Sequence, residues 1–405
     1  MNWRIVREKS SFVVCLWVVM FCAVPADAGG LFLNEVGTPV MGNAGAGAQA
    51  EASDASTAFH NPAGMTLLEG QQFMLTGGLV YSEVRFESDG GAPITGGDGG
   101  NAGGWAPMMG SFFVHPINED LRFGFSFTSI SAAVVDYDRR WTGRYQNEKV
   151  ELITMTAMPT LAYRVNDWLS VGGGPTITYA MLEMDAAVDR SPASDGQATI
   201  DGDDIDVGYT LSAMFELSEQ TRVGVVYLSE IELDLEGDVK LRPSGLTVGT
   251  DTTLPLAQMI RGSIYHDLND KWALVGSLGW EDWSTMDEVT ISTGSGGGAI
   301  PRNWDDTWHY GAGIHYRPSP KWLLRTGIAY DTNPVDSSDR TADMPIDRQV
   351  RYAVGASYDW SESLTVGASF VYADYGSGKI DGATLSGEYD RNDLYFLGLH
   401  ANWKF

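Results

Sequence analysis

The sequence predicts an all-β chain: a 14-stranded antiparallel transmembrane β-barrel with an N-terminal plug, or hatch, inside its lumen. Three observations carry this expectation. From Phe73 to the end, segments of roughly ten residues alternate apolar with small or polar side chains, as a strand with one face in lipid must. The connections between these segments alternate between short and long. The preceding stretch, Gly29 to Gln72, is rich in Ala, Gly and Ser and lacks the alternation.

The segments begin near Phe73, Ala106, Leu121, Lys149, Trp168, Ile205, Thr221, Thr252, Lys271, Asp306, Lys321, Asp347, Ser363 and Leu394. In one of them Leu364, Val366, Ala368, Phe370 and Tyr372 share a face opposite Thr365, Gly367 and Ser369. The last sets Tyr395, Leu397, Leu399, Ala401, Trp403 and Phe405 against Gly398, His400, Asn402 and Lys404. Short turns such as Asn118-Glu119-Asp120, Asn166-Asp167 and Leu268-Asn269-Asp270 alternate with long connections such as Glu183 to Asp204, Glu236 to Asp251 and Ser284 to Asp305. This is the rhythm of a bacterial outer-membrane barrel with both chain ends on the periplasmic side. Trp168, Trp272, Trp322, Trp360 and Trp403 fall where strands meet turns, the depth at which amphipathic rings sit in a membrane interface. A soluble β-sandwich or propeller would explain the alternation but not the rhythm. The Gly-rich runs Gly96 to Gly104 and Gly294 to Gly298 have no strand-then-helix context for a phosphate cradle, and are expected to be flexible outer loops.

Composition removes other classes. The chain has 405 residues, with 26 Lys+Arg against 53 Asp+Glu and a net charge of -27, so it lacks the basic stripe that nucleic acid requires. Its 43% hydrophobic content excludes a disordered acidic chain. The one long apolar run, Phe12 to Val24, follows Arg4, Arg7 and Lys9 and precedes Pro25-Ala26-Asp27-Ala28; it reads as a secretory signal peptide over residues 1–28. A lipid anchor at Cys22 is the weaker alternative, because Phe21 stands where a small residue is needed. Cys15 and Cys22 both lie in this leader, so no disulfide or thiolate chemistry is expected afterwards. The plug is assigned to 29–72 and the barrel to 73–405. A bore between that of eight strands, which side chains fill, and sixteen, which conducts water, would leak unless stoppered.

Within the plug, Ser53-Asp54-Ala55-Ser56 offers a helix cap and Asn61-Pro62-Ala63-Gly64 a turn. Gly30-Leu31-Phe32-Leu33-Asn34-Glu35, Gly45-Ala46-Gly47 and Asp54 through Met65 resemble the opening of the FadL/TodX family. So do Trp308-His309-Tyr310-Gly311, Leu324 through Asp331, Asn333-Pro334-Val335, Arg340, Pro345-Ile346-Asp347-Arg348 and the terminal Phe405. Members of that family carry long-chain fatty acids and aromatic hydrocarbons across the outer membrane. The resemblance implies a hatch in which Asn61, Pro62 and Ala63 act in gating, an apolar pocket, and lateral release at a kinked third strand, here Leu121 to Ala133. Phe405 resembles the signal read by the barrel-assembly machinery.

The expected function is passive uptake of hydrophobic molecules, long-chain fatty acids first, with aromatic hydrocarbon uptake or a general diffusion porin as alternatives. A chain of about fifteen methylenes gains roughly 12 kcal/mol on leaving water. A pocket that captured all of this would never release its ligand, so partial burial and a hatch movement are needed. A carboxylate head wants an inward cation. Alternation turns Arg261, Arg325 and Arg351 into the lumen, with His309 and His315 beside them. No catalytic residue, cofactor or metal is expected: no Ser/His motif is present, and no two His stand at i,i+2 or i,i+4. Asp201-Gly202-Asp203-Asp204 breaks off as a calcium loop at Ile205. The expected partners are the hydrophobic ligand, outer-membrane lipid and lipopolysaccharide, and the assembly machinery.

Overall fold

Fourteen strands close into one antiparallel wall. They are Gln72–Ser88, Trp105–Pro116, Leu121–Thr128 continued by Ala132–Asp136, Lys149–Asn166, Leu169–Val188, Gly196–Ser218, Thr221–Leu228 continued by Ile231–Arg242, Leu246–Leu256 continued by Met259–Asn269, Trp272–Glu281, Thr307–Ser319, Trp322–Asp331, Gln349–Ser361, Leu364–Asp374 and Ser386–Lys404. The first pairs with the last, Gln72 opposite Lys404 and Leu79 opposite Leu397, so the sheet closes on itself; the ladder is interrupted only locally, between the outer parts of the second and third strands. The computed structural model describes residues 32, 35–90, 94–294 and 296–405; the leader 1–28 and the residues of the opening motif other than Phe32 and Glu35 lie outside these.

Alternation sets the wall. On the eleventh strand Leu324, Ile328 and Tyr330 face outwards while Arg325 is buried. Trp322 at the turn and Tyr330 near the other end are about eight steps of ~3.3 Å apart, or roughly 20 Å along the membrane normal at a barrel's usual tilt. The two rings therefore bracket an apolar band of membrane thickness. Trp272 stacks on Tyr316 at 4.2 Å and Trp322 meets Tyr358 in a tilted contact at 4.8 Å, both at the short-turn end. Asx side chains close the turns there: Asn166 Oδ1 accepts from the Trp168 and Leu169 amides at 3.0 and 2.9 Å.

The long connections differ from the expectation. Glu183 to Asp204 and Glu236 to Asp251 are mostly strand, because the hairpins run on beyond the membrane to tips at 189–195 and 243–245. Above the lipid both faces of a strand meet water, so the ladder continues while the apolar alternation that marks it disappears. Ser284 to Asp305 holds a further hairpin, Glu288–Thr293 with Gly296–Pro301. The stretch Gly96 to Gly104 is not a free loop either: the Gly97 amide donates to Arg140 O at 3.1 Å, and a Cβ on Gly103 would meet Ser82 O at 2.3 Å. These segments fold into a cap with its own core. Trp141 is fully buried, the Tyr137 and Tyr389 hydroxyls bond at 2.6 Å, and Arg302 grips Asp343 with two nitrogens.

Candidate functional site

The site is built from the plug upwards. Residues 35–71 form short helical turns, Pro39–Asn43, Ala48–Glu51, Thr57–His60 and Pro62–Leu67, packed on the inward faces of the wall. Small residues make this fit possible. A Cβ on Gly224 would meet Gln49 O at 1.8 Å, and one on Gly327 would meet Asn43 O at 2.3 Å. At both points the plug backbone lies directly on a wall glycine.

Polar contacts then fix the plug. Asn61 is fully buried; its side-chain amide donates to Gln49 O at 2.6 Å and Ala213 O at 3.2 Å, and its Oδ1 accepts from the Ala63 amide at 3.0 Å. Pro62 follows it at the start of the next turn, and the Ala63 amide also reaches Ser212 Oγ at 2.9 Å. The motif thus ties one plug turn to another and both to the sixth strand. Glu51 pairs with Arg325 at 2.6 Å, and Arg325 is also bonded to Ser357 at 2.8 Å. Burial alone would raise the Glu51 carboxyl, but the facing guanidinium outweighs it and holds the group down at about 2. The Glu51 carboxylate is charged at any physiological pH.

The other three residues expected to meet ligand, Arg261, Arg351 and His309, are also inward and buried, and each already has an anionic partner. Arg351 contacts Asp331, and its Nε lies 3.1 Å from Glu35 of the plug segment. His309 Nδ1 lies 2.8 Å from Asp331 Oδ1. Arg261 pairs with Glu281 at 2.6 Å, and Glu281 also accepts from the Trp283 indole at 2.8 Å. Arg325 belongs to a different region, at the plug's far side from these three.

Phe32 stands between two cavities. One, of about 30 Å³, is lined by Trp283, Trp304, Pro334 and Ile346 with Arg351 in its wall. Phe32 meets the Trp283 ring there at a centroid distance of 5.0 Å. The other, of about 60 Å³, is lined by Phe59, Ile130, Met158, Leu228 and Met259 with Arg261 and His60 at its margin. Burial holds the His60 imidazole at about 4, so it is neutral and Arg261 is the cation of that cavity. Sites that enclose a small molecule span ~300–1,000 Å³. Both cavities are far smaller.

Ile130 belongs to a break in the third strand. Thr128 pairs with Thr156 and Ala132 with Ile153, so Ser129-Ile130-Ser131 spends three residues where the fourth strand spends two. Thr154 holds the bulge, accepting from the Ser131 amide at 3.0 Å and donating to Ser131 O at 2.8 Å. Beyond Thr128 the strand no longer pairs with the second: their register ends at Gly110 opposite Thr128, while Trp105 to Met109 pair only with the first strand. Pro107, which has no amide to give a ladder, lies in this stretch. The outcome is a side gap in the wall next to the second cavity. The family resemblance implied a kink in the third strand, and the bulge lies there; the contacts of Phe32, Glu35 and Glu51 were not foreseen, and a carboxylate in the otherwise small-residue segment Gln49-Ala50-Glu51-Ala52 was the available signal.

A family model described as outer membrane protein transport protein (OMPP1/FadL/TodX) matches residues 19–405. The long-chain fatty acid transport protein of Escherichia coli O6:H1 is 27% identical over 454 residues, spanning 100% of both chains. Outer membrane protein P1 of Haemophilus influenzae is 25% identical over 403 residues, covering 87% of this chain and 88% of its own. Among solved structures, a FadL homologue of Pseudomonas aeruginosa superposes with a TM-score of 0.86 at 21% identity, covering 93% of this chain and 100% of that one. The toluene transporter TbuX of Ralstonia pickettii gives 0.71 at 19% identity, covering 92% and 99%. With its closed wall and the matching family model, this chain belongs to the OMPP1/FadL/TodX family of outer-membrane transport proteins.

Proposed function

We propose that the protein takes up long-chain fatty acids passively, through a lumen gated by the N-terminal segment and emptied sideways at the third-strand gap. The observation that supports this most is the contact of Ile130 with the apolar cavity, which joins a greasy compartment to an opening towards lipid. Release there delivers the acyl chain to hydrocarbon without a passage through water.

Phe32 and Glu35 suggest how the gate answers to cargo. Phe32 fills apolar space beside Trp283 while Glu35 sets a carboxylate on Arg351. An apolar group and a carboxylate held in this way copy the tail and head of a fatty acid. An incoming carboxylate replaces Glu35 on Arg351, the tail displaces Phe32, and the freed segment opens the way to the second cavity and Arg261. Toluene and its kin have no head to make this exchange, which favours fatty acid over aromatic hydrocarbon.

In proteoliposomes, labelled oleate is expected to enter while sugars do not, and Asn61→Ala should slow oleate entry at least tenfold without loss of the folded barrel, since the buried amide's three bonds are worth ~1 kcal/mol each. Sugar permeation without oleate entry would make the protein a porin. The same reading assigns Phe405, exposed at the turn end with its amide bonded to Gln71 O at 2.9 Å, to recognition by the assembly machinery. A chain ending at Lys404 should reach the membrane at a small fraction of the normal level on fractionation; normal insertion would remove that role.

A further inference from the structure

The outer tips of four connections enclose an open cavity of about 900 Å³, much larger than either lumen cavity. Its walls carry five arginines, Arg139, Arg140, Arg144, Arg190 and Arg242, in a chain with 26 basic residues and a net charge of -27. Arg144 is committed: it bonds Asp195 at 2.8 Å and the Thr95 carbonyl at 3.0 Å. The other four side chains make no hydrogen bond or ion pair with any described residue. Every other Lys or Arg of the outer end among the described residues stands in an ion pair. The unpaired cations of this end therefore all converge on one place. Against them the cavity sets Glu148 and the already paired Asp195, which leaves it positive.

The lining also says what does not belong there. Apart from the arginines and two acids it consists of Thr95, Ser194, Gln197, two glycines and Pro243, without an aliphatic or aromatic side chain. An acyl chain or a toluene would find nothing to bury against, so the cavity is not part of the transport path. Arginine, with its planar fork of donors, suits the paired oxygens of phosphate and holds them bidentately. The fifth strand, 20 residues long, gives the height. At ~3.3 Å per residue and ~40° tilt it rises roughly 50 Å, of which about 25 Å is the apolar band, so its tip stands some 20 Å above the hydrocarbon. At that level an outer-membrane barrel is surrounded by the sugars of the outer-leaflet glycolipid.

We propose that this arginine-lined cavity docks the phosphate-bearing core oligosaccharide of neighbouring lipopolysaccharide. The acidic remainder of the outer surface repels that polyanion, so the cavity fixes where the sugar lies. Docked there, it bridges the tips of separate hairpins and steadies the cap over the lumen.

The test is titration of the detergent-purified full chain with phosphorylated core oligosaccharide freed from its lipid, with the same oligosaccharide after dephosphorylation, and with inorganic phosphate. Binding of the phosphorylated form is expected, weakening as salt rises and falling at least tenfold in R139Q/R140Q/R190Q/R242Q. The dephosphorylated form should bind at least tenfold more weakly than the phosphorylated one. The smaller change R190Q/R242Q should show a partial loss and guards against misfolding of the fourfold variant, with heat-modifiable gel mobility reporting the barrel and oleate uptake remaining at the parental rate. Equal binding of the dephosphorylated sugar, unchanged affinity in both variants, or displacement by inorganic phosphate at the same concentration would each overturn the proposal; the last would mark a free-phosphate site instead.

Discussion

Glu51→Gln is expected to turn a closed barrel into an intermittently leaking one. The substitution leaves Arg325 buried between Ser357 and a neutral amide, in place of a full carboxylate. Removing one partner of a buried ion pair costs about 3–5 kcal/mol, because the surviving charge is left without compensation. That cost falls on the seated plug. Once the plug moves, water reaches Arg325 and the penalty disappears, so the equilibrium shifts towards the unseated state by roughly a hundredfold or more. In planar bilayers the variant should show frequent openings that the parent protein lacks, and liposomes should become permeable to sugars. The wall is untouched, so the heat-modifiable gel shift of the barrel remains. Arg325→Gln should behave in the same way, and the double variant E51Q/R325Q should leak less than either single change. Silent bilayers with either single variant would show that the pair does not hold the plug.

Deleting Ser129 is expected to abolish most fatty-acid transport while leaving the pore sealed. The third strand carries one residue more than the fourth between Thr128 and Ala132. Removal of one makes the counts equal on both sides of the break, so the register on either side survives. The strand can then continue alongside Trp105 to Met109, and the ladder closes the gap. An acyl chain in the second cavity would have only the periplasmic water as an exit, at roughly 12 kcal/mol for a fifteen-methylene tail. Oleate uptake should fall at least tenfold with normal surface abundance, whereas oleate binding to the purified protein persists. Uptake at the parental rate would place the exit elsewhere, through the plug.

The two variants separate parts of the molecule that differ in how legible they were. The wall could be read because lipid imposes a rule on every second residue: Leu397 and Leu399 must be apolar, and the residues between them need not be. Where strands rise out of the membrane that rule lapses, which is why Gly196 to Asp204 reads as loop although it is strand. The inward direction of Arg261, Arg325 and Arg351 followed from the same rule. Their partners did not. Glu51 and Arg325 are 274 positions apart, and nothing local in either segment announces the other.

Sequence alone therefore determined the wall, its strand number, the aromatic belts and the presence of a small-residue plug, since each is a repeated response to one solvent, the bilayer. Tertiary structure alone decided which charges pair, where Phe32 lies, that the side gap adjoins an apolar cavity, and that four arginines from three tips meet. Those depend on how a closed cylinder brings distant residues face to face, and a periodic pattern carries no record of what lies across the bore.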